Sequence, residues 1–352
     1  MVAGARRVSA PTRPGGKAMR SVLYTTAYTL EMHEAPMPEP APGEVLVKVA
    51  RVGICGSELE GVRTRTRRVP PLIMGHEISG TIAGGDVPAD LRIGQRVAIN
   101  PLISCGQCEL CRSGLPNLCP DRQLVGLNRP GGFAEYVAVP ASALVPVPDH
   151  LDDTAAALTE PLAVGVRAVR LTGRSGGRLL IAGAGSIGLL CLQAAQALGF
   201  GPITVTDIDD SRLAVAADLG AAKTYNVRDT AVSARLAAGA EGLYPAAVDA
   251  VGVPSTRRLT VDVLAPAGVA VWVGSAEDDA TINGNAIVRQ ERQVRGSYAY
   301  TPDDFHTALR LLSEGRIAVR KMVQEFPLEQ GAEVFTRLLH DRGNVVKAVL
   351  VP

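Results

Sequence analysis

The stretch Leu179-Leu180-Ile181-Ala182-Gly183-Ala184-Gly185-Ser186-Ile187-Gly188 decides how the middle of this chain folds. Four apolar residues in a row suit a parallel strand buried on both faces. The G-x-G-x-x-G that follows has a task for each glycine. Gly183 allows the tight turn, Gly185 lets a pyrophosphate approach the backbone, and Gly188 lets helix and strand pack closely. Leu189 to Leu198 is a good helix former, stopped by Gly199. A helix opening at Ser186 and Ile187 would turn free N–H groups and the positive end of its dipole toward the phosphates. A second apolar run, Ile203-Thr204-Val205-Thr206, ends on Asp207, nineteen residues past Gly188. That spacing suits hydrogen bonds to the adenosine ribose hydroxyls. A lone glycine motif is weak evidence, and a purely structural βαβ unit is the competing reading. Here strand, turn, helix, strand and acid fall in order, which points to a bound dinucleotide. Asp207 would repel a 2′-phosphate, and Asp209 and Asp210 add to its charge. NAD is therefore expected over NADP.

The totals set the frame. A chain of 352 residues suggests two domains, and 47% hydrophobic residues can supply their cores. A net charge of +1 gives no overall attraction to nucleic acid or an acidic membrane. No apolar run reaches the ~18 residues of a membrane span. Residues 1–18 are rich in Arg, Gly, Pro and Ala and lack the apolar core of a signal peptide. They read as a disordered extension, with Met19 as an alternative start. The expected compartment is the reducing cytoplasm, so the six cysteines are not expected to form disulfides.

Four of those cysteines crowd into one loop as Cys105-x2-Cys108-x2-Cys111-x7-Cys119. Close spacing lets one loop wrap a single ion, and four thiolates suit tetrahedral zinc with no open position. Such a closed site folds the loop and does no chemistry. Cys55 and His76 say less by themselves. A lone Cys is most often a small buried hydrophobe, and a lone His a hydrogen-bonded core residue. Between them runs Arg63-Thr64-Arg65-Thr66-Arg67-Arg68. Two readings stand, a solvated loop and an anion site bordering a cleft.

The remaining pattern alternates. Val45 to Val49 and Gly131 to Val139 read as strands, and Asp152 to Arg170 has helical spacing. Glu160 precedes Pro161, which places it at a helix boundary. Further strands are expected at 246–252, 268–274 and 293–298, a helix at 301–315, and a closing strand at 344–351.

With these residues assembled, the chain resembles the zinc-dependent medium-chain dehydrogenases. The resemblance rests on Cys55-Gly56-Ser57, Gly75-His76-Glu77, the four-cysteine lobe, Glu160-Pro161-Leu162 and Gly183 to Gly188. It is closest to the polyol branch, which includes sorbitol and galactitol-phosphate dehydrogenases. It implies an α/β fold: a Rossmann-type doubly wound parallel sheet over 164–300, and a mostly β GroES-like catalytic domain over 19–163. That domain would carry a zinc lobe at 100–122 and regain residues 301–352.

The resemblance implies two zinc ions per chain. The lobe holds the structural one. Cys55, His76 and one or both of Glu77 and Glu160 hold the catalytic one, a Lewis acid toward a secondary alcohol whose hydride passes to NAD. Ser57 would bond the substrate oxygen and start a proton relay. Glu60 stands where many members carry the relay histidine, so protons would leave through Glu60 or through the nicotinamide ribose and water. Glu58 replaces the usual aspartate behind the zinc-bound histidine, which is expected to move that group. Arg212 and Val273 complete the cofactor set, and Phe133 and Tyr300 the substrate pocket. Ala299 sits where sorbitol dehydrogenases carry an arginine, which weakens the case for sorbitol itself. The implied partner is a small polyol, cyclitol or sugar phosphate. The strand at 270–274 resembles the edge that pairs family subunits, so a homodimer or homotetramer is expected. The alternatives are a threonine-type or simple-alcohol dehydrogenase and a non-catalytic relative that binds NAD and zinc.

Overall fold

The computed structural model describes residues 17–66, 68–341 and 343–352. The central apolar runs form a six-stranded sheet, all parallel. Its order is Lys223–Asn226, Phe200–Asp207, Gly177–Ala182, Tyr244–Asp249, Leu264–Trp272, Gln293–Gly296. This is the doubly wound order in which a ligand crevice opens where the strand order reverses. The crevice lies between Gly177–Ala182 and Tyr244–Asp249, at their C-terminal ends. Helix Ser186–Ala197 leaves that edge and buries Leu189, Leu190 and Leu192 against the sheet.

The second sheet is mixed and has seven strands. Its order is Leu144–Pro146, Arg96–Ile99, Glu77–Gly85, Glu44–Gly53, Lys347–Val351, Val323–Pro327, and Tyr136–Pro140 also pairs with Glu44–Gly53. Val45, Val47, Val49 and Val52 supply its buried face. The closing strand Lys347–Val351 pairs antiparallel with Glu44–Gly53, so the chain's last residues stand beside the strand that leads to Cys55. A small sheet of Leu30–Pro36, Ala18–Tyr24 and Leu72–Ile73 completes this half.

Two expectations change. Residues 270–274 do not form an edge: Leu264–Trp272 is flanked on both sides, and the exposed edge strand is Gln293–Gly296. The physical reason is the extra crossover through helix Gly284–Gln290, which lays one more strand outside it. At the other end, the first strand already includes Ala18, one residue before the expected boundary. The remainder of the N-terminal expectation, like Arg67, lies outside the described residues.

Candidate active site and zinc centres

The strand Glu44–Gly53 delivers Cys55 to the start of helix Gly56–Thr64, where its sulfur accepts the Ser57 N–H at 3.4 Å. The neighbouring strand begins at Glu77, directly opposite Gly53 in the ladder. That register brings Cys55, His76 and Glu77 together, with donor atoms all within 4.8 Å of one another. Gly53 is required here because a Cβ would collide with the Glu77 carboxylate and press on Lys347.

Glu58 supports the ligands from behind. Its Oε1 accepts from the Gly75 N–H at 2.9 Å and lies 2.9 Å from His76 Nδ1, and its Oε2 accepts the Cys55 N–H at 3.0 Å. Glu58 thus reaches His76 Nδ1 and leaves Nε2 free for a metal. Burial alone would raise the Glu58 carboxyl. The charges of His76 and Arg68, with the hydrogen bonds, outweigh it and hold the group at about 2. Burial lowers His76, but Glu58 and Cys55 carry it well above its ordinary value.

Lys347, which no sequence motif singled out, is fully buried and forms an ion pair with Glu77 while its Nζ donates to the Ile54 carbonyl at 3.0 Å. The available signal was a charge set inside the apolar run Val345-Val346-Lys347-Ala348-Val349. A buried charge needs a partner, and Glu77 is that partner.

Glu160 is the second residue of helix Thr159–Arg170 and is 7% exposed. Burial pushes its carboxyl up to about 7, with His76 opposing and Glu77 adding to the rise. It stands within electrostatic reach of the Cys55–His76–Glu77 cluster without joining its tightest group. The Tyr300 hydroxyl points toward it, buried and without a fully formed hydrogen bond. These residues fit a divalent cation. One thiol, one imidazole held by its other nitrogen and buried carboxylates form a zinc donor set that leaves room for exchange.

Two expected residues are placed elsewhere. Phe133 is fully buried, edge-on to Phe335 at 6.4 Å, so it packs the core behind Gly75 and lines no cleft. Glu60 is gripped by Arg63 at 2.8 and 3.0 Å, half exposed, in a groove against helix Gly331–His340. Among the described residues no hydrogen bond joins it to Ser57.

The basic run disperses. Arg63 serves Glu60, Arg65 stacks on Tyr28 at 4.6 Å, and Arg68 turns inward to 4% exposure.

The cysteine lobe is built differently. Cys105, Cys108, Cys111 and Cys119 also place their donors within 4.8 Å, and Cys105 and Cys111 sulfurs lie 3.9 Å apart. Tetrahedral zinc with ordinary Zn–S bonds needs about 3.8 Å between sulfurs. Backbone N–H groups of Cys105, Cys108 and Cys111 each donate to a cluster sulfur at 3.4–3.5 Å. N–H groups of Gln107 and Cys108 pull the Cys105 thiol down to about 7.

At the nucleotide crevice, Gly185 caps the helix, and a Cβ added there would meet nothing within 4 Å. A Cβ on Gly188 would sit 1.9 Å from the Gly183 carbonyl. Ser186 and Ile187 open the first turn, half-buried. Asp207 binds the turn itself: Oδ2 accepts the Ala184 N–H at 2.6 Å, and Oδ1 accepts those of Ile208 and Asp209. Arg212 lies beyond it, beside Asp209, in a groove that Ser211 and His340 also line. Val273 follows the strand Leu264–Trp272, and its N–H donates to the Asp249 carbonyl.

Comparison with known proteins agrees with this arrangement. Residues 41–149 match the family model "Alcohol dehydrogenase GroES-like domain" and residues 186–314 match "Zinc-binding dehydrogenase". Galactitol 1-phosphate 5-dehydrogenase of Escherichia coli K12 is 32% identical over 317 residues, 87% of this chain and 92% of that protein. Two solved structures superpose with TM-scores of 0.89 at 28% identity, each covering 96% of this chain and 100% of its own. One is described as a zinc-binding dehydrogenase from Sinorhizobium meliloti 1021 bound to NADP, the other as a short chain alcohol dehydrogenase from Escherichia coli CFT073 complexed with NADH. The chain belongs to the zinc-dependent medium-chain alcohol dehydrogenases, oxidoreductases that act on CH–OH groups.

Proposed function

We propose that the protein interconverts a secondary alcohol and a ketone on a polyol, cyclitol or sugar phosphate. The observation that carries this reading is the mixed donor set Cys55–His76–Glu77, closed in space, supported by Glu58 and set beside Ser57 and Glu160. Cys55, His76 and Glu77 would hold the catalytic zinc, with Glu160 as an exchanging carboxylate, and the four-cysteine lobe would hold the structural one. When bound, zinc supplies Lewis acidity toward the carbinol oxygen and NAD accepts the hydride. Ser57 presents its hydroxyl to the substrate oxygen, Glu58 fixes His76, and Lys347 balances the charge of Glu77. Gly183, Gly185 and Gly188 admit the pyrophosphate, and Asp207 takes the ribose hydroxyls and disfavours a 2′-phosphate. The similarity to galactitol 1-phosphate 5-dehydrogenase supports the polyol class.

The chain divides into a catalytic region that opens with the strand Ala18–Tyr24, runs to 163 and is rejoined by 301–352, and a nucleotide region at 164–300. Subunits would pair through the edge strand Gln293–Gly296, giving at least a dimer. Among the described residues no helix is long and apolar enough to cross a membrane. A cytoplasmic enzyme fits the free thiols.

The test is NADH formation across a panel of polyols, cyclitols and their phosphates. Turnover of at least one, and none with threonine or simple alcohols, is expected. Activity confined to threonine or ethanol-like alcohols would overturn the substrate class.

A further inference from the structure

Arg68 is an anomaly of the basic run. It is 4% exposed; among the described residues no carboxylate lies within 4.0 Å of it, and the opposite charge it does feel is that of the buried Glu58. A buried guanidinium without an ion pair is costly, and it is tolerated where its donors are well used. Its side chain lies against the helix at Gly61, where a Cβ would come 3.0–3.1 Å from Arg68 carbons and Nε. From there the planar fork spans two acceptors. One terminal nitrogen donates to the Gly126 carbonyl at 2.6 Å, and the other donates to Ser57 Oγ at 3.3 Å. Gly126 in turn packs on the backbone of Gly75, the residue before His76. Arg68 thus ties the helix carrying Ser57 to the segment behind the histidine turn.

We propose that Arg68 is a positioning residue for the reaction, acting through Ser57; the proposal rests on the reading of Ser57 as the substrate-facing hydroxyl. A serine hydroxyl has one proton and two lone pairs. Arg68 occupies one lone pair, and the hydroxyl proton lies toward Cys55 Sγ at 3.3 Å. One lone pair is left to receive the O–H of the alcohol, so the rotor is set before substrate arrives. Lysine has no planar fork and cannot span both acceptors in this way. The arginine run therefore contributes to the site through one residue that holds a hydroxyl, and no phosphate clamp is needed to explain Arg68.

The experiment is a double-mutant cycle on the zinc-loaded enzyme with NAD and the best polyol from the panel. Arg68→Met and Arg68→Lys are each made in the wild type and in Ser57→Ala. In the wild type, Arg68→Met is expected to lower kcat by roughly tenfold to a hundredfold, the scale of one lost charged hydrogen bond. KM for NAD and zinc content should hold, and Arg68→Lys should recover only part of the loss. In the Ser57→Ala background the same change should cost less than roughly twofold, because coupled partners are not additive. Equal losses in both backgrounds, or no loss in the wild type, would overturn the role of Arg68 while Ser57 stands. Full activity in Ser57→Ala alone would remove Ser57 first and the proposal with it. If Arg68→Met fails to fold, Arg68→Lys carries the same cycle.

Discussion

The chain holds two metal-donor clusters built on opposite principles. In the lobe, four like donors sit within fifteen residues of sequence, and local backbone N–H groups orient the sulfurs. In the other cluster, Cys55, His76 and Glu77 come from a helix start and a strand start, with Lys347 arriving from the far end of the chain. The first needs only a loop, and metal binding there is folding. The second needs the whole sheet, whose register sets Glu77 opposite Gly53. Saturated, like donors make a staple. Mixed donors with a buried carboxylate beside them suit a site that keeps an open position.

The largest effects should separate the clusters. Cys55→Ala or His76→Ala should abolish NADH formation while leaving a folded protein that still binds NAD. Cys108→Ala or Cys111→Ala should cost solubility and thermal stability, because a structural zinc contributes on the order of 10 kcal/mol in small modules. A melting temperature lowered as much by Cys55→Ala as by Cys108→Ala would erase the distinction.

Cofactor choice comes next. Asp207→Ser should raise kcat/KM with NADP relative to NAD by ~10-fold, the scale of one charge-assisted hydrogen bond. Steady-state kinetics with both dinucleotides check this, and a wild type that prefers NADP would remove the proposed role of Asp207.

The smallest effect concerns two carboxylates of the open site with opposite pH behaviour. In protein stripped of the exchangeable zinc, burial raises Glu160 from 4.5 to about 7. The folded state then keeps a proton that the unfolded chain releases, so stability should fall as pH rises from 4.5 to 7, by at most about 3 kcal/mol. Glu160→Gln should flatten that slope. Glu58 is held down at about 2, so its contribution is present above 4.5 and is lost as pH falls toward 2. Denaturant titrations across pH 3–8 would show both arms. A Glu160→Gln curve parallel to the wild type would rule out Glu160 as the group responsible.

The two clusters also differ in how readable they were. Cys105 to Cys119 and Gly183 to Asp207 declare themselves, because their chemistry is local and spacing alone constrains it. Cys55 and His76 become a site only through the resemblance, since neither is informative alone. Lys347 escaped altogether, and Arg68 was read only as one of a basic run, as solvated loop or anion site. Each is a charge whose meaning depends on a partner 270 and 11 residues away in sequence, Glu77 and Ser57. Phe133 and the strand near 270 were misplaced for the same reason, because burial and sheet order are properties of the assembled fold. Glu60 was read through the resemblance, from the place of a relay histidine, and its ion pair with Arg63, an exposed interaction worth at most ~1 kcal/mol, was invisible there.

Zinc content per chain, measured on purified protein alongside NADH formation, decides whether the open cluster is a second, catalytic metal site. Two zinc ions are expected in the active wild type. Cys55→Ala should retain one and lose all turnover. One ion in a fully active wild type, or two ions and full turnover in Cys55→Ala, would contradict a catalytic zinc at Cys55, His76 and Glu77.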